Sequence, residues 1–369
     1  MANKSIEKAT TAEITPINKG NYSMETEERN ALFEKYRGEG WEAEYKKYRR
    51  DWVENAKKRI VSDYPLLVDC ELSSLCNLKC PMCYTITDEF KKKNNAKLMD
   101  DKLYYKIIDE IAYKVPALRL SLRGECTLHP RLVEFVKYAK CYGINDISFL
   151  TNGSNLTVDF FVELAEAGVN WITISLDGLH EIYEKIRYPL KFQDILEKIK
   201  IIKQIKDKRN WHRPVIKIQT IYPAIKGVQE EYYNTFAPFV DLVAFNPLID
   251  YLQNDKIEDI VYNESGFCCP QPYQRLVIFS DGTATTCSND ESADIGIGNA
   301  NESSIYELWH DEKERQIRDI HSSSFGFHQL HTCKLCYLPR KTEDSESFTV
   351  NGREVIVENY VGRSQTVGK

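Results

Sequence analysis

Residues 66–83 read LLVDCELSSLCNLKCPMC. Leu66–Leu72 has the length and apolar content of a strand, and Cys76, Cys80 and Cys83 follow it with no helix between. Further strands are expected over Ala117–Leu122, Asp146–Thr151, Trp171–Leu176, Val215–Ile221 and Leu242–Asn246. Between them, helical spacing of apolar residues predicts helices over Asp100–Lys114, Arg131–Tyr142, Val158–Ala167, Phe192–Asp207 and Val228–Phe236. Alternation of this kind predicts parallel strands joined by right-handed crossovers. An open doubly wound sheet and a barrel both satisfy it.

The strand interiors separate the two. A doubly wound sheet has helices on both faces, so its strands should be apolar on both. Here Arg119, Ser121, Arg123 and Glu125 share one parity, as do Thr173, Ser175 and Asp177, and again Lys217 and Gln219. One face of the sheet is polar along several strands, which fits a sheet curved around a polar cavity. The expected fold is α/β, a partial (β/α)6 TIM-like barrel over residues 64–250.

On the N-terminal side, residues 1–23 are polar and read as a disordered tail. Residues 24–63 carry Phe33, Tyr36, Trp41, Tyr45, Tyr48 and Trp52 at helical spacing. They predict two amphipathic helices whose aromatic stripe docks on the barrel. On the C-terminal side, residues 251–268 read as a linker. Residues 269–340 hold four more cysteines and one long helix, Ile305–Ile320. In residues 341–369, Asn351-Gly352 between β-prone runs predicts a hairpin followed by a tail.

The net charge of -6 gives no reason to expect nucleic-acid binding. No apolar run is long enough for a membrane helix, and the first residues have no signal-peptide core. A cytoplasmic protein is expected. There thiols stay reduced, so eleven cysteines point to metal ligation rather than disulfides.

Loops at the C-terminal ends of barrel strands carry the chemistry. Cys76, Cys80 and Cys83 stand on the first of these with no fourth thiol near in sequence. A closed structural zinc site needs four ligands. On a four-iron cubane three cysteines leave one iron open for a small chelating molecule. This C-x3-C-x2-C loop after the first strand resembles that of the radical S-adenosylmethionine (SAM) superfamily, with Met82 where an aromatic residue is usual. The resemblance implies a [4Fe–4S] cluster on Cys76, Cys80 and Cys83 whose open iron binds SAM. It also implies one-electron cleavage of SAM to a 5′-deoxyadenosyl radical that abstracts a substrate hydrogen. A reducing partner such as flavodoxin or ferredoxin comes with it.

The resemblance extends to other strand ends. Arg123-Gly124-Glu125 stands where the family has Gly-Gly-Glu, and implies that Glu125, next to Gly124, accepts from the SAM amino group. Thr151-Asn152-Gly153 and Ser175-Leu176-Asp177-Gly178 imply ribose and carboxylate contacts through Asn152, Ser175 and Asp177. Arg187 resembles the arginine that pairs with the SAM carboxylate, and Gln219 is placed near ribose or adenine.

Cys269, Gly282, Cys287 and Cys333-x-x-Cys336 are similar to the SPASM extension of the same superfamily. In its shorter form this small C-terminal iron–sulfur domain carries one auxiliary [4Fe–4S] cluster, here implied on Cys269, Cys287, Cys333 and Cys336. Cys268 competes with Cys269 for the first position. Zinc is the competing metal, because His328 and His331 lie just upstream of the last two cysteines.

Of the remaining cysteines, Cys70 and Cys141 read as packing residues. Cys126 follows Glu125 at the expected cavity rim and is the candidate catalytic hydrogen donor, against a plain buried role. Arg119, Arg123 and Lys217 face the cavity with Asp69 and Glu71, so the charges either pair among themselves or favour an anionic substrate. The expected function is radical oxidation or epimerisation of a small carbohydrate-like or nucleotide-sugar-like molecule, by an oxidoreductase or isomerase. A peptide maturase is the rival enzyme, and a non-catalytic zinc-binding scaffold the rival of another class.

Overall fold

The computed structural model describes residues 14–16, 22–94, 96–248 and 256–363. Its main sheet contains strands β1 (Tyr22–Ser23), β2 (Leu67–Cys70), β3 (Ala117–Arg119), β4 (Asp146–Thr151), β5 (Trp171–Ser175), β6 (Val215–Ile221), β7 (Leu242–Asn246), β8 (Arg275–Ile278), β9 (Thr283–Thr285) and β10 (Gly296–Asn299). They lie in the order β1-β7-β6-β5-β4-β3-β2-β8-β9-β10. Strands β2 to β7 are parallel in sequence order, as the alternation predicts.

Side chains on one face of these strands form the core. Val68, Leu118, Ile147, Ile172, Ile174, Ile216, Ile218 and Val243 pack on Tyr104, Ile108, Phe135, Phe161 and Ile199 from the surrounding helices. Each such burial contributes about 1.5–3 kcal/mol. Helix starts are set by their caps: Asp100 accepts from Lys102 N, and Thr157 from Phe160 N. The opposite parity carries the polar row. Asp69, Arg119 and Ser148 are in register on β2, β3 and β4, and Thr173 is in register with Lys217 on β5 and β6.

Two helices, Glu27–Arg37 and Glu42–Lys58, close the end of the barrel where the strands begin. Phe33 packs on Val215, Leu242 and Ala244. Trp41, Tyr45, Tyr48 and Trp52 pack on Leu66, Leu67 and Ala117. Arg37 is fixed to Asp146, the first residue of β4, by three bonds, two from Nε and one from Nη2. The aromatic stripe is therefore an anchor. No helix among the described residues is long and apolar enough to cross a membrane.

Several boundaries differ from the expectation. The expected tail is not wholly a tail: Ile14 and Thr15 are buried, Cys268 N donates to Ile14 O, and Tyr22–Ser23 pairs antiparallel with β7, while residues 1–13 and 17–21 lie outside the described residues. A two-residue strand is too short to show a period. Of the linker, residues 251–255 lie outside the described residues, and the remainder includes a 3-10 turn at Ile257–Asp259. The segment 269–340 does not stand apart, since β8 pairs parallel with β2 and extends the barrel sheet. The long helix is two, Ile305–Trp309 and Glu312–Ile320, because the Asp311 side chain caps the second start by accepting from Lys313 N. Strands β11 (Thr342–Val350) and β12 (Arg353–Tyr360) form the hairpin, with Asn351 and Gly352 both at positive φ as its turn requires. Residues 364–369, in the expected tail, lie outside the described residues. Cys70 is core, as expected, but Cys141 is exposed on the outer side of its helix.

Candidate active site

The loop leaving β2 is held in place before it reaches the first cysteine. Ser74 bonds Lys97 O through both its N–H and its hydroxyl, and Glu125 N donates to Leu75 O at 2.7 Å. A Cβ on Gly124 would fall 2.4 Å from the carbonyl oxygens of both Ser73 and Leu75. The close backbone approach therefore falls on Gly124, and Arg123 is free to differ from the family's glycine. Its guanidinium chelates Glu71 through Nε and Nη2, each at 2.7 Å, and stacks 3.6 Å over the Phe279 ring. Arg123 is a buried brace between three strand ends.

Cys76, Cys80 and Cys83 come together on this loop. Burial pushes the Cys80 thiol up to about 11, with the Arg187 charge opposing and Cys83 and Cys76 adding to the rise. Burial raises Cys76 as well. Thiolates gathered on one loop need a cationic centre among them, which fits an iron cluster. Leu78 N donates to Cys76 Sγ at 3.5 Å. Asn152 Nδ2 lies 4.0 Å from the same sulfur and donates to Asn77 Oδ1 at 2.9 Å, fastening the end of β4 to the cysteine loop.

Glu125 is buried and accepts four hydrogen bonds. Its Oε1 takes Thr127 N, Thr127 Oγ1 and Thr151 Oγ1, while Oε2 takes, among the described residues, only Asn152 N at 2.7 Å. A carboxylate has about four acceptor positions in two pairs, so Oε2 retains one for an amino group. Asp177 Oδ1 accepts from Ile221 N at 2.9 Å and Oδ2 from Arg187 Nε at 2.8 Å. Asp177 thus orients Arg187, and a second carboxylate fits the remaining Nη1 edge of that guanidinium. Ser175 and Gln219 face each other in register across β5 and β6. These placements fit the chelated end of SAM beside the thiols.

Cys126 is the exception. It is 1 % exposed, belongs to the hydrophobic core, and its thiol points at Leu150 O, 3.5 Å away. Burial raises its pKa well above the ordinary value. It does not stand at the cavity rim, because the 3-10 turn Cys126–Leu128 rotates it away.

The second set also converges. Cys269, Cys287, Cys333 and Cys336 line one small enclosed space with Phe267, Ile295, Ile317 and His321. Cys268 is outside it, with Arg59 Nη2 at 3.8 Å from its sulfur. Among the described residues no three His, Cys, Asp or Glu side chains meet closely enough to chelate one metal ion. Four thiols around one space supply the four ligands of a closed iron–sulfur cluster. Donors already aim at the sulfurs: Asn289 N to Cys287 at 3.3 Å and Leu338 N to Cys336 at 3.5 Å. His321, which no spacing singled out, has Nε2 3.6 Å from Cys333 Sγ. His328 sits in a 3-10 turn and His331 begins a short helix, and neither lines the space.

Inside the barrel lies a cavity of about 580 Å³. Leu122, Leu150 and Gln219 line it on the side of the candidate SAM residues, and Arg37, Tyr48 and Trp52 on the side of the N-terminal helices. Gln271, Asn289 and Leu338 belong both to its wall and to the wall of the four-thiol space. Sequence reasoning missed these three and Arg275. The signal for Arg275 was a charged residue at the start of the apolar run RLVIF.

Residues 70–236 match the Radical SAM superfamily and residues 268–337 match SPASM, an iron–sulfur cluster-binding domain. A cofactor-modifying protein for tungsten-containing aldehyde ferredoxin oxidoreductase from Pyrococcus furiosus is 30% identical over 207 residues, covering 53% of this chain and 54% of that one. The chain thus spans about half the length of that relative. Among solved structures, BtrN in complex with AdoMet and 2-DOIA has a TM-score of 0.54 at 16% identity, covering 75% of this chain and 94% of that one. Streptococcus suis SuiB bound to precursor peptide SuiA has 0.51 at 16%, covering 80% and 77%. At such identities the two structures speak for the fold alone. With both cysteine sets falling inside the matched segments, the chain carries a radical SAM superfamily domain followed by a SPASM domain, and its cofactors are SAM and [4Fe–4S] clusters.

Proposed function

We propose that this enzyme oxidises a small, polar, carbohydrate-like molecule at an unreactive C–H bond. The observation that carries the reading is the barrel cavity of about 580 Å³, within the usual 300–1,000 Å³ of small-molecule sites. Its lining mixes aromatic faces, Trp52 and Trp171, with Ser121, Ser148, Thr173, Gln219 and Asn246. Such a lining suits rings bearing hydroxyls. Cys76, Cys80 and Cys83 would hold the cluster whose open iron takes SAM, with Glu125 and Arg187 receiving its amino and carboxylate groups. Bound there, SAM supplies the radical that removes one hydrogen atom from the substrate.

Oxidation then requires loss of one further electron and one proton. Cys269, Cys287, Cys333 and Cys336 would hold an auxiliary cluster that would supply an electron acceptor, and the wall shared through Gln271, Asn289 and Leu338 supports that role. Epimerisation would need a hydrogen donor facing the cavity, and the thiol first considered for it, Cys126, is in the core. A flavodoxin- or ferredoxin-type partner supplies the electron that starts each cycle.

The test is anaerobic incubation of the reduced protein with SAM and deuterated carbohydrate candidates. Deuterium entering 5′-deoxyadenosine, with product two hydrogens lighter, is the expected result. Deuterium transfer only from a peptide substrate would overturn the reading.

A further inference from the structure

At the start of the barrel strands, two guanidiniums share one buried carboxylate among the described residues. Asp69, with its side chain fully buried, meets two guanidiniums: Arg119 Nε lies 2.7 Å from Oδ1 and Arg275 Nη1 lies 3.0 Å from Oδ2. Both arginines line the cavity, as does Lys217. Among the described residues the carboxylates on its wall are engaged elsewhere, Asp146 with Arg37 and Glu34 with Tyr45 and Arg49. Two like charges held on one buried carboxylate, Arg275 buried and Arg119 partly exposed to the cavity, are costly unless a further anion joins them. Donors on this wall also lack hydrogen-bond acceptors among the described residues. Arg275 Nε and Trp171 Nε1 are both buried without a hydrogen-bond acceptor among the described residues. Arg275 itself is 9% exposed. An unmet buried donor costs about 1–3 kcal/mol, which a ligand oxygen would recover.

We infer that Arg119 and Arg275, bridged by Asp69, form a seat for an oxyanion of the substrate, a phosphate or a carboxylate. The inference rests on the cavity being the substrate site, and it adds the substrate's charge and orientation. The anionic end lies toward the N-terminal helices, against Trp171, Tyr48 and Trp52. The opposite end, carrying the C–H bond to be cleaved, lies toward Leu122, Leu150 and Gln219, near the candidate SAM residues. Asp69 is a positioning residue in this scheme: it gathers the guanidiniums and sets how much positive charge is left for the ligand.

The probe is inorganic phosphate, titrated calorimetrically into the reconstituted full chain at constant ionic strength, with acetate as the carboxylate arm. Saturable one-site binding of one or both is expected, and the tighter anion names the source. Arg119→Gln and Arg275→Gln each restore one charge to one charge and should weaken binding by about tenfold or more. Asp69→Asn removes the competing carboxylate and should tighten it. The opposite signs keep the test decisive if one variant folds poorly, and iron content monitors folding. Absence of binding of either anion up to about 10 mM, unchanged affinity in both arginine variants, or weaker binding in Asp69→Asn overturns the seat. Deuterium transfer from a neutral carbohydrate in the same preparations would leave the proposed oxidation standing while the seat falls. Anion binding without any deuterium transfer would do the reverse.

Discussion

Replacing Gly124 by alanine should uncouple the first cluster from the barrel. The added Cβ would lie 2.4 Å from two carbonyl oxygens, Ser73 O and Leu75 O, where ordinary contact begins at 3.4 Å. Both obstacles are backbone, so the cysteine loop must retreat by about 1 Å, which is overpacking worth about 1–3 kcal/mol. The retreat also breaks the bond from Glu125 N to Leu75 O, worth about 1 kcal/mol more. A total of about 2–4 kcal/mol is expected in urea unfolding of the apo chain. Because Cys76 follows Leu75 directly, iron should fall from about eight to about four atoms per chain after reconstitution, the auxiliary cluster remaining. Gly352→Ala is the control. It sits at φ 75 with nothing within 4 Å of the added Cβ. It should cost about 1 kcal/mol through backbone strain and leave the iron unchanged. Stability within about 0.5 kcal/mol of wild type together with full iron in Gly124→Ala would refute the reasoning.

Three further outcomes are expected. Cys126→Ala should leave the product and SAM cleavage unchanged while costing about 1 kcal/mol of stability as a small core deletion; a changed product would return Cys126 to the cavity. Cys269→Ser should lose about four irons per chain and Cys268→Ser none, read by iron and sulfide analysis. Burial, with Arg37 adding to it, pulls the Lys217 amine down from 10.5 to about 7. Between those two values the unfolded chain holds a proton that the folded chain has released, so stability rises with pH across the window and is lost as pH falls through about 7. Lys217→Met should flatten that part of the urea stability profile against pH, and an unaltered profile would assign the slope to other groups.

Much of the barrel was legible because period and parity are local. Val215–Ile221 and Asp146–Thr151 have the strand bounds their sequences suggest, and the polar parity of Arg119, Thr173 and Lys217 marked the inner face. The cysteine spacings were legible for the same reason. What escaped depends on partners distant in sequence. Tyr22–Ser23 is a strand only because β7 has a free edge, and β8 joins the barrel only because β2 does. Arg123 reads as a cavity cation until Glu71 and Phe279 are seen to enclose it. Cys126 has the parity of neither face, since the chain leaves the sheet in a 3-10 turn at that point. His321 lies twelve residues before Cys333 and reaches it through a helix end that no motif encodes.

The pairing of β2 with β8 has a consequence for how the chain is made. Residues 67–70 are hydrogen-bonded to residues 275–278, so more than half of the polypeptide must be synthesised between one partner and the other. While the ribosome works through that interval, the strand leading to the first three thiols offers a bare edge. Bare edges pair with whatever strand arrives first, a neighbouring nascent chain included. The edge is closed only when β8 docks on it, so the strand that leads to Cys76, Cys80 and Cys83 waits for a segment that also carries Cys269.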